Sequence, residues 1–155
     1  MDLVVYYSRT KNTKAVAEAI SKKRDVKLVE IKDKQKRSGA FGFIKGAVDS
    51  LREKQTDIEY EPVNLKDYDN IFIGSPVWAS KPTPAIVQFI EENEFSGTNC
   101  ISFVTMMGSG GQTAVNVINN MIISQGGNVK DSFILAVKNK DIEELTNNAL
   151  DDIKL

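Results

Sequence analysis

Short apolar runs alternate with amphipathic runs along almost the whole chain. Near-continuous apolar runs are typical of strands covered on both faces, and they predict strands over 3–7, 26–31, 70–75, 99–105 and 129–137. Between them, apolar residues recur at helical spacing and predict helices over 13–23, 84–94 and 113–125. A last helix is expected after Asp141, a candidate N-cap with Glu144 three residues on.

This alternation predicts an α/β fold, in which a parallel sheet has helices on both faces. Five strands allow either of the common doubly wound orders, and in both orders ligands lie beyond the carboxyl ends of the strands. A binding site is therefore expected in the loops after the first, third and fourth strands. At 155 residues without an internal repeat or linker, the chain is expected to form one domain, 1–155.

The loop after the first strand reads SRTKNT and contains no glycine. Its hydroxyl and amide groups can donate to phosphate oxygens, and the following helix offers free backbone N–H groups at its positive end. An ordinary helix start, with Thr13 as the cap and the rest solvated, would need the same residue types. This loop alone leaves phosphate binding and simple capping both open.

The loop after the third strand carries the only tryptophan of the chain, Trp78, among prolines that stiffen the backbone. A rigid loop that presents a tryptophan suits stacking on a planar ring. A tryptophan folded into the core beneath its own loop would give the same pattern.

The loop after the fourth strand contains Gly108, Gly110 and Gly111, which let the backbone approach a ligand closely or simply make a flexible connector. Together, the three loops place a phosphate-suited site, a ring-suited site and a close-approach loop at one end of the sheet. The combination indicates a flat heteroaromatic ring that bears a phosphate.

Composition narrows the chemistry. Histidine is absent and Cys100 is the single cysteine, which excludes His-based acid–base catalysis, the commonest zinc ligand, an intrachain disulfide and a cysteine metal cluster. Any demanding chemistry is therefore expected to come from a bound cofactor. A net charge of -1 gives no electrostatic case for nucleic acid. Without a signal peptide or an apolar run of membrane-spanning length, a cytoplasmic location is expected.

The chain resembles the flavodoxin superfamily over essentially its whole length. SRTKNT is similar to the family's phosphate-loop pattern S/T-x-T-G-x-T at Ser8, Thr10 and Thr13. GSPVWAS is similar to its aromatic flavin loop, and TMMGSGG lies where its second flavin loop is expected. The resemblance implies a three-layer, doubly wound, five-stranded parallel sheet in the order 2-1-3-4-5, and flavin mononucleotide (FMN) bound without covalent attachment.

The resemblance also implies which residues bind the cofactor. The first loop would hold the phosphate, Trp78 would flank the isoalloxazine ring with its neighbours behind it, and the third loop would contact the ring's polar edge through its backbone. The implied cofactor-binding residues are Ser8, Arg9, Thr10, Lys11, Asn12, Thr13, Ser75, Pro76, Val77, Trp78, Ala79, Thr105, Met106, Met107, Gly108, Ser109, Gly110 and Gly111. No catalytic residue and no metal ligand is assigned.

The sequence departs from the family pattern in three respects. Lys11 stands where glycine is usual, which costs about 1 kcal/mol if that position needs a positive φ. Met106 and Met107 stand where many carriers have an aromatic residue, so the ring face is either softly covered or open. Ala79 stands where carriers commonly have glycine; a positive-φ turn is less favourable there, and the one-electron-reduced flavin is expected to be less stabilised.

Charge is a further departure, because the loops carry Arg9, Lys11 and Lys81 and no carboxylate. Carriers of the family are usually acidic around the flavin. Cationic loops disfavour an anionic reduced flavin less than acidic loops do. We therefore expect the potential of the final reduction step to be less negative than in acidic carriers.

The expected function is an FMN electron carrier whose partners are redox proteins, with neither nucleic acid nor membrane as a partner. The alternative is an FMN-dependent NAD(P)H or quinone oxidoreductase of the same superfamily, and a flavin-free binding or scaffold protein is a third reading.

The segment 32–54 is expected to be a helix on the sheet with a solvated basic lead-in. Because Phe41 and Phe43 exceed what a plain surface helix needs, a homodimer contact or a lid near the flavin is the other reading.

Overall fold

The structure, a computed structural model, describes residues 1–34 and 56–155, in which strands and helices alternate. The strands are β1 (Asp2–Tyr6), β2 (Val26–Glu30), β3 (Lys32–Asp33), β4 (Ile58–Glu59), β5 (Ile71–Trp78), β6 (Lys81–Pro82), β7 (Asn99–Met106) and β8 (Asn128–Ala136). The helices are α1 (Asn12–Lys23), α2 (Pro84–Glu92), α3 (Gly111–Ser124) and α4 (Ile142–Asp152), and a 3-10 turn covers Leu65–Asp67.

Five of these strands form a parallel sheet in the order β2-β1-β5-β7-β8. This confirms the expected order 2-1-3-4-5, because β5, β7 and β8 are the third, fourth and fifth of the strands expected from the sequence. The strand order reverses between β1 and β5, and doubly wound sheets bind their ligands beyond the carboxyl ends at such a point.

Helices cover both faces of the sheet, which explains why β1 is buried at every residue. On one face, Leu3 and Val5 of β1 belong to a core cluster with apolar residues of α2 and α3. On the other face, Val4 and Tyr6 join a second cluster with residues of α1 and α4. The sheet is thus the middle of three layers, as expected.

The last helix starts as its sequence predicts. The Asp141 side chain accepts a hydrogen bond from the Glu144 backbone N–H at 3.2 Å, so Asp141 is the N-cap of α4. Ser, Thr, Asp and Asn are favoured at this position because their side chains satisfy an N–H group that the helix leaves free.

Two segments differ from the sequence-based expectation. The third strand extends past residue 75 to Trp78 and folds back, so that Val77 pairs with Pro82 and Trp78 with Lys81 in an antiparallel hairpin. The prolines had indicated a loop, but a proline is tolerated in so short an outer strand. Residues 32–33, expected to lead into a helix, form β3 and pair with β4.

The rest of the segment 32–54, from residue 35 onwards and including Phe41 and Phe43, lies outside the described residues. Across the described ranges, none of the helices has the length and apolar character that crossing a membrane requires.

Candidate functional site

The three loops expected to form a site meet at the carboxyl edge of the sheet. The hydroxyl oxygens of Thr13, in the first turn of α1, and Thr105, near the end of β7, are 2.9 Å apart and buried. The Arg9 guanidinium lies 5.6 Å from the ring centroid of Trp78, the last residue of β5. The first loop therefore contacts both of the others.

The first loop leaves the start of α1 open to an anion. Its N-cap is Lys11, with φ 69° and no hydrogen bond from its side chain. The Lys14 N–H donates to Ser8 Oγ at 3.2 Å, whereas the N–H groups of Asn12 and Thr13 have no acceptor among the described residues. The first turn of α1 contains no acidic side chain, so no carboxylate occupies the place where an anion would bind.

Thr13 does not cap α1, so the capping explanation of this loop is wrong for that residue. Its side chain is 1% exposed and its hydroxyl pairs with that of Thr105. This contact ties α1 to β7 beneath the site, which is why a hydroxyl is useful at a position that no solvent reaches.

Trp78 stands at the end of the hairpin and is half-buried rather than part of the core. The ring of Tyr7 meets it edge-on, with centroids 5.8 Å apart and planes at 88°, and Arg9 lies over the ring. Edge-on aromatic contacts and cations over a ring face are both favourable for an indole. The side chain is therefore held at the edge of the sheet, within reach of solvent.

Ser75 closes the base of the hairpin. It is fully buried; its hydroxyl accepts the N–H of Thr83 at 2.9 Å and donates to the carbonyl of Pro76 at 2.8 Å. In this conformation Ser75 supports the hairpin and presents no surface to a ligand. Val77 and Pro76 are half-buried, and Ala79 is exposed at the turn.

The third loop passes from the buried Thr105 to the exposed stretch Met107–Ser109. The side chain of Met107 is 59% exposed, and Asn12 Nδ2 donates to its sulfur at 3.8 Å. Met106 is half-buried, Gly110 has φ 94° as the N-cap of α3, and Gly111 is buried as its first residue. The loop after β7 is therefore exposed to solvent and carries the exposed side chain of Met107.

The exposed charged side chains of these three loops are all positive. Arg9, Lys11 and Lys81 are all exposed, and none of the ion pairs formed within the described ranges uses them. By contrast, Arg24 at the other end of α1 is paired with Asp2 at 2.6 Å. Cations without a carboxylate partner at the start of a helix favour an anionic ligand.

Sequence reasoning missed two residues of this arrangement. Tyr7 was assigned only to a strand, although its ring holds Trp78. Ser80 carried no signal as a turn residue, because a two-residue hairpin turn normally takes Asn-Gly or Asp-Gly. Its positive φ of 65° follows from its surroundings and not from its own preference.

Known proteins resemble the chain in sequence and in fold. The sequence model of the flavodoxin family matches residues 1–148. No curated protein sequence matches the chain.

Solved structures resemble it over most of its length. A flavoprotein from Lactobacillus acidophilus NCFM, crystallised in complex with FMN, is 26% identical, with a TM-score of 0.71 over 86% of this chain and 91% of that one. A putative flavoprotein from Bacteroides eggerthii DSM 20697 is 25% identical, with a TM-score of 0.78 over 99% and 98%. A flavodoxin from the domain Archaea is 23% identical, with a TM-score of 0.59 over 97% and 95%, and bears on the fold alone.

Proposed function

Because the chain belongs to the flavodoxin family over residues 1–148, we propose that it binds FMN without covalent attachment and carries electrons between redox proteins. The observation that carries the proposal is the convergence of the three loops at the reversal point of the strand order. There the open N-terminus of α1, the half-buried Trp78 and the glycine-containing loop before α3 lie together.

The residues present fit FMN. The phosphate would lie against the hydroxyls of Ser8 and Thr10 and the free N–H groups at the start of α1, where the helix dipole and nearby cations favour a negative charge. Trp78 would lie against the isoalloxazine ring, and the backbone of residues 107–110 would face the ring's polar edge. FMN itself supplies the redox chemistry when bound.

The protein's own contribution is binding and electrostatics. Thr13 and Thr105 hold two loops together from below, and Tyr7 and Arg9 hold Trp78. The positive charge of Arg9, Lys11 and Lys81 stabilises negative charge on a bound group. The proposed partners are therefore a donor and an acceptor protein that reach the cofactor at this exposed edge.

A second candidate function, an FMN-dependent NAD(P)H or quinone oxidoreductase, is favoured by one observation. Met107 is 59% exposed at the position where many carriers have an aromatic cover, which would leave one ring face accessible to a second planar molecule. Cations at the rim would suit the phosphates of a pyridine nucleotide.

An anaerobic spectral titration of the FMN-loaded protein tests these proposals. The purified apoprotein is loaded with FMN and titrated first with NADPH, then with dithionite. A carrier is expected not to be reduced by NADPH and to be reduced by dithionite. Bleaching by stoichiometric NADPH in a single two-electron step would favour the reductase instead. An apoprotein that does not take up FMN would contradict both and revive the flavin-free reading.

A further inference from the structure

The Ala79–Ser80 turn, which joins β5 to β6, is held in a conformation that neither residue favours. Both have a positive φ, 51° and 65°, and Trp78 pairs with Lys81 across them. Two-residue hairpins prefer such turns, but normally build them from Asn and Gly. In alanine or serine the Cβ atom crowds the backbone in this conformation, so other contacts must hold the turn.

The strands of the hairpin provide little of that support. β6 is two residues long, and Pro82, opposite Val77, has no N–H to donate to the ladder. The hydrogen bond from Thr83 to Ser75 fixes the base of the hairpin, several residues away from the turn.

Gly110 packs directly against the turn. A Cβ atom on Gly110 would lie 2.6 Å from Ser80 Oγ and 2.8 Å from Ser80 Cα, closer than real side-chain carbons approach such atoms. Gly110 is the N-cap of α3, whose buried residues, Ala114, Val115 and Ile118 among them, anchor the helix in the core. The turn thus rests on a part of the molecule that cannot easily move.

We propose that Gly110 is a positioning residue for the candidate cofactor site. Because it lacks a side chain, the N-terminal end of α3 can brace Ser80, and this contact holds the Ala79–Ser80 turn and the adjoining Trp78 in place. The third loop thereby sets the geometry of the hairpin that would flank the ring. The consequence for FMN rests on the proposed function, whereas the contact itself does not.

Gly110→Ala tests the role, and the chain offers a matched control. Gly126 follows the other end of α3, with φ 87°, and a Cβ there would lie 2.7 Å from Ser96 Oγ and 3.2 Å from Ser96 Cα. Gly126→Ala therefore introduces a similar strain and a similar clash, but away from the site. Both variants are expected to lose thermal stability.

Two measurements separate the variants. In the apoprotein, the fluorescence of Trp78, the only tryptophan, should shift in Gly110→Ala and not in Gly126→Ala. The dissociation constant for FMN should rise about ten-fold or more in Gly110→Ala and stay within about two-fold in Gly126→Ala. Equal effects of the two variants, or no effect of Gly110→Ala on Trp78, would overturn the proposal.

The unaltered apoprotein gives a test that requires neither a folded variant nor FMN. Amide ¹⁵N relaxation should give Ala79 and Ser80 order parameters of about 0.85, as in the flanking strands, whereas values below about 0.6 would mean an unbraced turn and overturn the proposal. If the protein binds no FMN, the proposed function fails, and the fluorescence and relaxation results still decide the positioning role.

Discussion

Two residues that depart from the family pattern adopt backbone conformations that their side chains disfavour. Lys11 and Ala79 have φ 69° and 51°, and both stand where the family resemblance had indicated a usual glycine. Residues in sparsely populated conformations persist only where surrounding contacts over-determine them, and they often lie at functional sites. These two departures from the family pattern therefore mark strained positions of the candidate site.

Replacing Ala79 by glycine should stabilise the folded protein. Relief of the left-handed strain, reduced by the extra flexibility of glycine in the unfolded chain, predicts a gain of about 0.5–1 kcal/mol in the free energy of unfolding. Urea denaturation measures it. Ala149→Gly, the same change inside α4, should instead destabilise by about 1 kcal/mol. A loss of stability in both variants would show that Ala79 is not strained.

If FMN binds as proposed, removing the charge of Arg9 should make the potential of its final reduction step more negative. The guanidinium lies over Trp78, in the loop where the phosphate would bind, so Arg9→Gln removes a nearby positive charge that favours the anionic reduced flavin. We expect a shift on the order of tens of millivolts at low salt. Redox titration measures the potential of each variant. The control is Lys130→Gln, which removes the charge of an exposed lysine in the first half of β8. Equal potentials in the two variants would refute the effect.

At the scale of elements, the Phe103 side chain of β7 packs over β5 at a residue that has no side chain. Gly74 on β5 is paired with Phe103 on β7, and a Cβ at Gly74 would overlap the Phe103 ring. That ring is fully buried and stacks on Phe133 with centroids 5.2 Å apart. Neither ring can move aside without disturbing the core between the sheet and its helices.

Gly74→Ala should therefore destabilise the protein strongly. Overpacking of a rigid core costs about 1–3 kcal/mol, and chemical denaturation followed by circular dichroism will measure it. Gly108→Ala is the control for stability, since nothing lies within 4 Å of a Cβ at that position, and it should change the free energy of unfolding by no more than about 0.5 kcal/mol. Similar stability of the two variants would contradict the packing argument.

Local signals predicted those elements that depend on local interactions. The N-cap at Asp141 and the helix it starts were predicted correctly, because a cap is satisfied within one turn of chain. The β5–β6 hairpin was missed, because its turn, Ala79–Ser80, has no intrinsic turn signal and is braced by Gly110, about thirty residues further on. Residue propensities do not predict contacts between positions so far apart in the chain.

For the whole molecule, the burial of three titratable groups makes the free energy of unfolding depend on pH in the alkaline range. Burial raises the pKa of Cys100 to about 11 from 9.0. Burial first, and then nearby carboxylates, raise the pKa of Tyr6 and Tyr60 to about 12 from 10.0. The neutral forms are favoured in the folded state, so their contribution is complete below the unfolded pKa values and is lost as pH rises through the folded ones.

The free energy of unfolding should therefore fall between about pH 9 and pH 12. Cys100→Ala removes the thiol and should flatten the fall between pH 9 and pH 11, whatever its effect on stability at neutral pH. Urea midpoints measured at intervals of pH for the unaltered protein and the variant give the two slopes. Identical slopes would mean that the thiol of Cys100 does not titrate differently in the folded protein.

By itself, the sequence determined the α/β class, the five central strands and the edge of the sheet where the candidate site lies. These follow from the alternation of apolar runs, because strands buried on both faces must be apolar throughout and ligands bind beyond their carboxyl ends. Only the tertiary structure decided which loop residues touch. Thr13 contacts Thr105, 92 positions further along the chain, and Gly110 braces Ser80. Packing of the whole chain brings these residues together, and the local conformational preference of each residue does not predict its partner.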